Sequence, residues 1–200
     1  MLRVGLTGGL ASGKSFVGRE LAALGCHVLS ADAIGHEVLL PGGAAYDAVV
    51  REFGHTILSS DGEIDRRVLG KLVFEHPERL QALNQIVHPA VYQREDELMA
   101  EFARQDPHGI SVLEAAILIE TGSYKRFQAL ILTVCPPEVQ LARAVERGLT
   151  REEAEARLLR QMPLAEKIPY ADYLIDTSGT KDNTIEQTHA VWQALRSKVS

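Results

Sequence analysis

Two hydrophobic rhythms alternate along this chain. Short, nearly continuous apolar runs occupy residues 2–6, 26–30, 110–114, 127–134 and 173–176. Runs of that length read as strands, and their continuity is what a parallel sheet buried on both faces demands. Between them, apolar residues recur at helical spacing. Phe16, Val17, Leu21 and Leu24 form one such set, closed by Gly25; a short stretch over 33–40 ends at Pro41-Gly42-Gly43. Tyr46, Val49, Val50 and Phe53 follow, then Val68, Leu69, Leu72, Val73 and Phe74, then Leu80, Leu83, Ile86 and Val87. The sum predicts an open α/β sheet with a mostly helical insertion between its second and third strands. A long helix is expected to begin at His88-Pro89, with Pro89 in its first turn.

Further along, Pro136-Pro137 opens a helix carrying Leu141, Ala142 and Val145 and closed by Gly148. Thr150 and Glu153 form a capping-box signature for a helix reaching about Gln161. A terminal amphipathic helix is expected over 184–199, with Trp192 as a packing residue. The segment 61–66 reads as a turn with a charged edge.

Composition narrows the choices. Two hundred residues suit one domain with insertions, and a net charge of −6 argues against a general nucleic-acid or membrane-surface binder. The two cysteines, Cys26 and Cys135, are far apart and flank apolar runs, so they read as buried reduced thiols. No apolar run approaches membrane-spanning length, and the first strand begins at once, leaving no room for a signal peptide; a cytoplasmic protein is expected.

The chemistry starts between the first strand and the first helix. Gly8 to Ser15 reads G-x-x-x-x-G-K-S, in the strand–turn–helix context of a phosphate-cradling loop. Gly8, Gly9 and Gly13 let backbone amides approach phosphate oxygens, and the helix turns its positive end to the same anion. Lys14 would neutralise β- and γ-phosphate charge and Ser15 would hold Mg²⁺. The implied ligand is a nucleoside triphosphate.

Other candidates depend on position. Asp32 lies at the carboxyl end of the second strand, where ligands bind in open α/β sheets; it reads equally as a proton acceptor or as a helix N-cap. Glu114 ends the third strand, where an acidic residue orients Mg²⁺ in many P-loop proteins. His88 reads as a substrate contact or as a packed residue. Arg143 with Arg147, and Arg157 with Arg160, share helix faces and suit either a solvated surface or a lid over ATP. A guanine-nucleotide switch is disfavoured: Asp32-Ala33-Ile34-Gly35 stands too close to Lys14, and no N-K-x-D occurs. A small-molecule kinase and a non-catalytic nucleotide-binding module remain.

Motifs beyond the loop carry a specific resemblance. Gly5 to Ser15, Ala31-Asp32-Ala33-Ile34-Gly35-His36, Asp61-Gly62-Glu63-Ile64-Asp65-Arg66, Leu83 to Pro89, Leu141 to Gln161 and Ala171 to Asp176 occur in the order in which the dephospho-CoA kinase family carries similar segments. The resemblance implies a three-layer α/β/α P-loop kinase with a parallel five-stranded sheet. It implies a single domain over 1–200, with a helical substrate-binding insertion at about 36–108 and a lid at about 148–168. It further implies transfer of a phosphoryl group from MgATP to the ribose 3′-hydroxyl of dephospho-CoA, with no nucleic-acid or membrane partner. Carried over residue by residue, Asp32, Lys14 and Arg143 are catalytic. Gly8, Gly9, Ala11, Ser12, Gly13, Lys14, Ser15, Phe16, Arg143 and Arg147 bind ATP. Thr7, Asp32, Arg66, His88 and Glu114 face the acceptor, Arg157 and Arg160 belong to the lid, and Ser15 holds the metal.

Three departures qualify the match. Ala11 stands where glycine is frequent, which requires a negative φ there. The run Ala115 to Glu120 lacks the proline of the family's P-L-L-x-E. Ser178-Gly179 replaces a common Asn-Gly, removing an Asn side chain from any adenine contact.

Overall fold

The computed structural model describes residues 1–74 and 76–199. Its strands β1 (Leu2–Gly8), β2 (His27–Ser30), β3 (Ile110–Glu114), β4 (Ala129–Val134) and β5 (Tyr173–Asp176) form one sheet in the order β2-β3-β1-β4-β5. Every pairing is parallel. The most apolar runs take the middle: Val4, Leu6, Val112, Ile131 and Leu132 are all fully buried. The register aligns the carboxyl ends, with Glu114 opposite both Leu6 and Ser30, and Thr133 opposite Gly8. That edge is where the connections carrying chemistry emerge.

The chain divides into two compact units, Met1–Ser30 with Glu101–Ser200, and Ala31–Ala100. In the first, α1 (Lys14–Ala23) and α9 (Lys181–Arg196) pack together on the sheet. Val17 and Leu21 from one and Val191 and Leu195 from the other join Val4, Leu6, Val112, Ile131 and Ile175 in the main core. Trp192 packs at its margin as expected. The terminal helix begins three residues before the expected 184, because Thr180 accepts from Asn183 N and caps it. Helices α6 (Pro137–Glu146), α7 (Arg151–Leu159) and the short α8 (Leu164–Lys167) lie between β4 and β5. The capping box is present: Thr150 Oγ1 accepts from Glu153 N, and Glu153 Oε2 accepts from Thr150 N.

The second unit is helical, with α2 (Ala31–Glu37), α3 (Tyr46–Phe53), α4 (Arg66–Phe74) and most of α5 (Pro77–Gln105). Ile34, Val38, Val49, Phe53, Ile57, Ile64, Leu69 and Val73 are buried. The turn expected at 61–66 closes through a Leu58–Ile64 bridge, and the Tyr46 hydroxyl donates to Gly62 O. Asp65 caps α4 by accepting from Arg67 N and Val68 N at 2.8 and 3.2 Å. Glu37 and Arg94 form a 2.8 Å ion pair.

The expected start of the long helix is wrong. It begins at Pro77, not at His88-Pro89, and Pro89 lies inside it. Proline is well suited to the first helical position, which Pro77 takes. Pro89 removes one backbone donor from a 29-residue helix, and the remaining bonds on either side carry the helix through.

Candidate active site

The phosphate loop spans the gap between Gly8, the last residue of β1, and Lys14, the first of α1. The helix has no side-chain cap, and its N-cap Gly13 is left-handed at φ 87°. Its amide end is therefore dressed only by the loop, which is how a helix N-terminus serves an anion. Lys14 folds back over the loop, donating from Nζ to Gly8 O and Gly9 O at 3.0 and 2.9 Å. This holds the ammonium at the loop's mouth. Ser12 Oγ and Thr133 Oγ1, 2.8 Å apart and buried, tie the loop to β4. Phe16 stands in the first turn of α1 with the Arg19 guanidinium 6.0 Å from its ring.

Ala11 departs from expectation. Its φ is +51°, left-handed, not negative. Ser12 N donates to Gly9 O across it at 3.2 Å, and Ala11 is buried with Ala144 of α6 and Ala154 of α7, with Leu10, Leu141 and Leu149 packed around them.

Glu114 comes to the loop through the sheet register. Ser15 Oγ donates to Glu114 Oε1 at 2.6 Å, and Glu114 Oε2 lies against Gly18, where an added Cβ would stand 3.2 Å away. A hydroxyl, a carboxylate and an ammonium thus gather at one helix N-terminus. Thr7 is fully buried, and its hydroxyl donates to Ala116 O at 3.2 Å, bracing the loop after β3.

Arg143 projects from α6 onto Thr177, just beyond β5. Its Nη1 and Nη2 donate to Thr177 Oγ1 and Thr177 O at 3.2 and 2.6 Å. Thr177 Oγ1 in turn donates to Ser12 O at 2.8 Å, and its side chain fills the space a Cβ on Gly13 would need. Arg143 therefore reaches the loop through Thr177. Arg147, Arg157 and Arg160 are exposed. Cys135 lies beside Arg143, and burial pushes its thiol pKa up.

Three candidates belong to the second unit. Asp32 is exposed in the first turn of α2, two residues beyond Ser30 of β2. Because α2 begins at Ala31, Asp32 lies inside the helix and does not occupy the N-cap. Arg66 is exposed at the start of α4. His88 is half-buried on α5, 6.0 Å from the Tyr92 ring, and lines a groove with Leu80, Asn84 and Gln85.

Sequence reasoning missed Thr177, Gln161 and the Lys167–Glu120 pair. Lys167 Nζ lies 2.6 Å from Glu120 Oε1 with Lys167 2% exposed, a buried coulombic contact, and Lys167 lines a pocket together with Gly9. Gln161 Oε1 accepts from Leu10 N at 2.9 Å. Their polar types were visible, but nothing in spacing indicates partners 47 or 151 positions away.

Among the described residues no helix is long and apolar enough to cross a membrane. The model of the family described as CoaE, dephospho-CoA kinase, matches residues 2–183. A dephospho-CoA kinase of Aquifex aeolicus is 39% identical over 195 residues, covering 98% of each chain. The crystal structure of TT1252 from Thermus thermophilus superposes with a TM-score of 0.81 at 33% identity, covering 97% of both chains. Dephospho-CoA kinase from Campylobacter jejuni superposes with a TM-score of 0.74 at 26% identity, covering 98% of both.

Proposed function

The chain belongs to the dephospho-CoA kinase family, and from that premise we infer that it transfers the γ-phosphoryl group of ATP to the ribose 3′-hydroxyl of dephospho-CoA, giving CoA and ADP. The observation that carries the reading is the extent of the match. It runs from residue 2 to residue 183, far beyond the phosphate loop itself.

The geometry around the loop supports the ATP half. Phosphoryl transfer asks the protein for positioning and charge stabilisation more than for covalent chemistry. The loop amides and the N-terminus of α1 would cradle the phosphates, and Lys14, already drawn over Gly8 and Gly9, would meet the β- and γ-oxygens. Ser15 and Glu114 offer a hydroxyl and a carboxylate oxygen 2.6 Å apart, a hard-oxygen pair suited to Mg²⁺, which takes few protein ligands and completes its shell with phosphates and water. When bound, the ion would supply positive charge to the phosphates. Arg143 would act by holding Thr177 against Ser12 and Gly13, keeping the loop shaped for ATP.

For the acceptor half, Asp32 is the candidate base. Its carboxylate would take the proton of the attacking hydroxyl in line with the γ-phosphorus. Arg66 and His88 would contact the acceptor, and Arg147, Arg157 and Arg160 would cover the nucleotide from the lid, limiting hydrolysis by water.

The test is ADP release with MgATP, with and without dephospho-CoA, beside a panel of nucleoside monophosphates and shikimate. Stimulation by dephospho-CoA, with one phosphate of added mass on that acceptor, is the expected result. Stimulation by another acceptor alone would keep the kinase chemistry and reassign the substrate. No stimulation by any acceptor would overturn the reading in favour of a nucleotide-binding module.

A further inference from the structure

We propose that Gln161 is a positioning residue for the phosphate loop, a neutral carboxamide beyond α7 that sets the Gly9–Leu10 peptide and couples loop geometry to the seating of α6 and α7. The inference rests on the kinase reading for its catalytic consequences and on geometry for the rest.

Gln161 lies two residues past the end of α7, half-buried, with Oε1 2.9 Å from Leu10 N. A second glutamine approaches Gly9 from α6. Gln140 is anchored by its Nε2 donating to Cys135 O at 3.1 Å, and its Oε1 faces Gly9. A Cβ on Gly9 would stand 2.8 Å from Gln140 Oε1 and 3.3 Å from Gln161 Oε1, so a side chain there would have to push both carboxamides aside. Two residues beyond Gly9, the methyl of Ala11 is buried against Ala144 and Ala154. Residues 9 to 11 are thus gripped through backbone and side chain by elements remote in sequence. The left-handed Ala11 is costly for a residue with a Cβ, and this grip adds to the Ser12 N to Gly9 O turn in maintaining it.

The choice of a carboxamide follows from electrostatics. An acceptor is needed for Leu10 N, yet a carboxylate there would place negative charge beside a loop whose amides and Lys14 serve an anion. Glutamine supplies the acceptor without the charge.

Two variants separate these roles. Gln161→Met keeps length and removes the acceptor, and Gln161→Glu keeps the acceptor and adds charge. Amide hydrogen exchange at Leu10, read without acceptor substrate, should quicken about tenfold in Gln161→Met and stay near wild type in Gln161→Glu. The dissociation constant for ATP, by calorimetry, should rise about tenfold in Gln161→Met. In Gln161→Glu it should rise as well, with an effect that shrinks as salt increases. KM for dephospho-CoA should be nearly unchanged in both. Unchanged Leu10 exchange and ATP affinity in a folded Gln161→Met would overturn the proposal, as would equal, salt-independent losses in both variants. Exchange and ATP binding do not depend on the acceptor, so an absence of dephospho-CoA turnover in the wild type would overturn only the kinase reading.

Discussion

Ser15 Oγ donates to Glu114 Oε1 at 2.6 Å, joining the first turn of α1 to the end of β3 across 99 residues of chain. Replacing either oxygen should weaken Mg²⁺ use more than nucleotide binding. Ser15→Ala and Glu114→Gln are each expected to raise the Mg²⁺ concentration for half-maximal activity about tenfold or more. A magnesium titration at fixed ATP reads the effect, and an unchanged midpoint in both would remove the pair from metal binding.

Asp32 is exposed in the first turn of α2, away from the N-cap position. Asp32→Asn is nearly isosteric and removes only the capacity to accept a proton. It should lower kcat by roughly 100-fold or more while leaving ATP affinity close to wild type. Steady-state rates with calorimetric ATP binding would decide it; full turnover in the variant would exclude Asp32 as base.

The left-handed backbone of Ala11 has a stability signature. Ala11→Gly relieves strain of about 1 kcal/mol. The lost methyl contact and added chain entropy offset that gain, so the net change should stay within about 1 kcal/mol. Ala11→Val places a β-branched side chain in the same conformation against Ala144 and Ala154 and should cost more than about 2 kcal/mol. Urea denaturation compares the two, and equal midpoints would contradict a positive φ in solution.

Lys167 is 2% exposed and paired with Glu120, which keeps 21% of its side chain exposed. Lys167→Met removes one charge and strands the other. A loss of about 3–5 kcal/mol is expected, because both carboxylate oxygens of Glu120 are buried and the exposed part of its side chain is the stem. Lys167→Met with Glu120→Leu should recover much of it. A double-mutant cycle by thermal unfolding measures the coupling, and simple additivity would show that the pair does not interact.

Burial raises the Cys26 thiol to about 11 from an ordinary value near 9, with Arg196 opposing the shift. The folded state therefore holds this proton more tightly than the unfolded chain. Its contribution is complete below pH 9 and is lost as pH rises through 11, amounting to about 2–3 kcal/mol. Cys26→Ala should flatten the decline in stability between pH 9 and 11. An identical decline in the variant would assign it to other groups.

The sequence was most legible where structure is local. The five apolar runs became the five strands, and the capping box at Thr150 and Glu153 formed, because each depends on residues within a few positions. The misplaced start of α5 shows the limit. His76-Pro77 and His88-Pro89 are alike as local signals, and only a surrounding helix long enough to tolerate Pro89 separates them.

By itself, the sequence determined that a strand, a glycine-rich turn and a helix would build an anion cradle ending in Lys14 and Ser15. Spacing and residue type suffice for that, since the relevant atoms lie within eight consecutive positions. The tertiary structure decided what holds the cradle in shape: Thr177 against Gly13, Glu114 beside Ser15, Gln161 on Leu10 and the alanine cluster behind a left-handed Ala11. Those partners come from 99 to 165 residues away. Their alignment depends on strand register and helix packing, which no local spacing encodes.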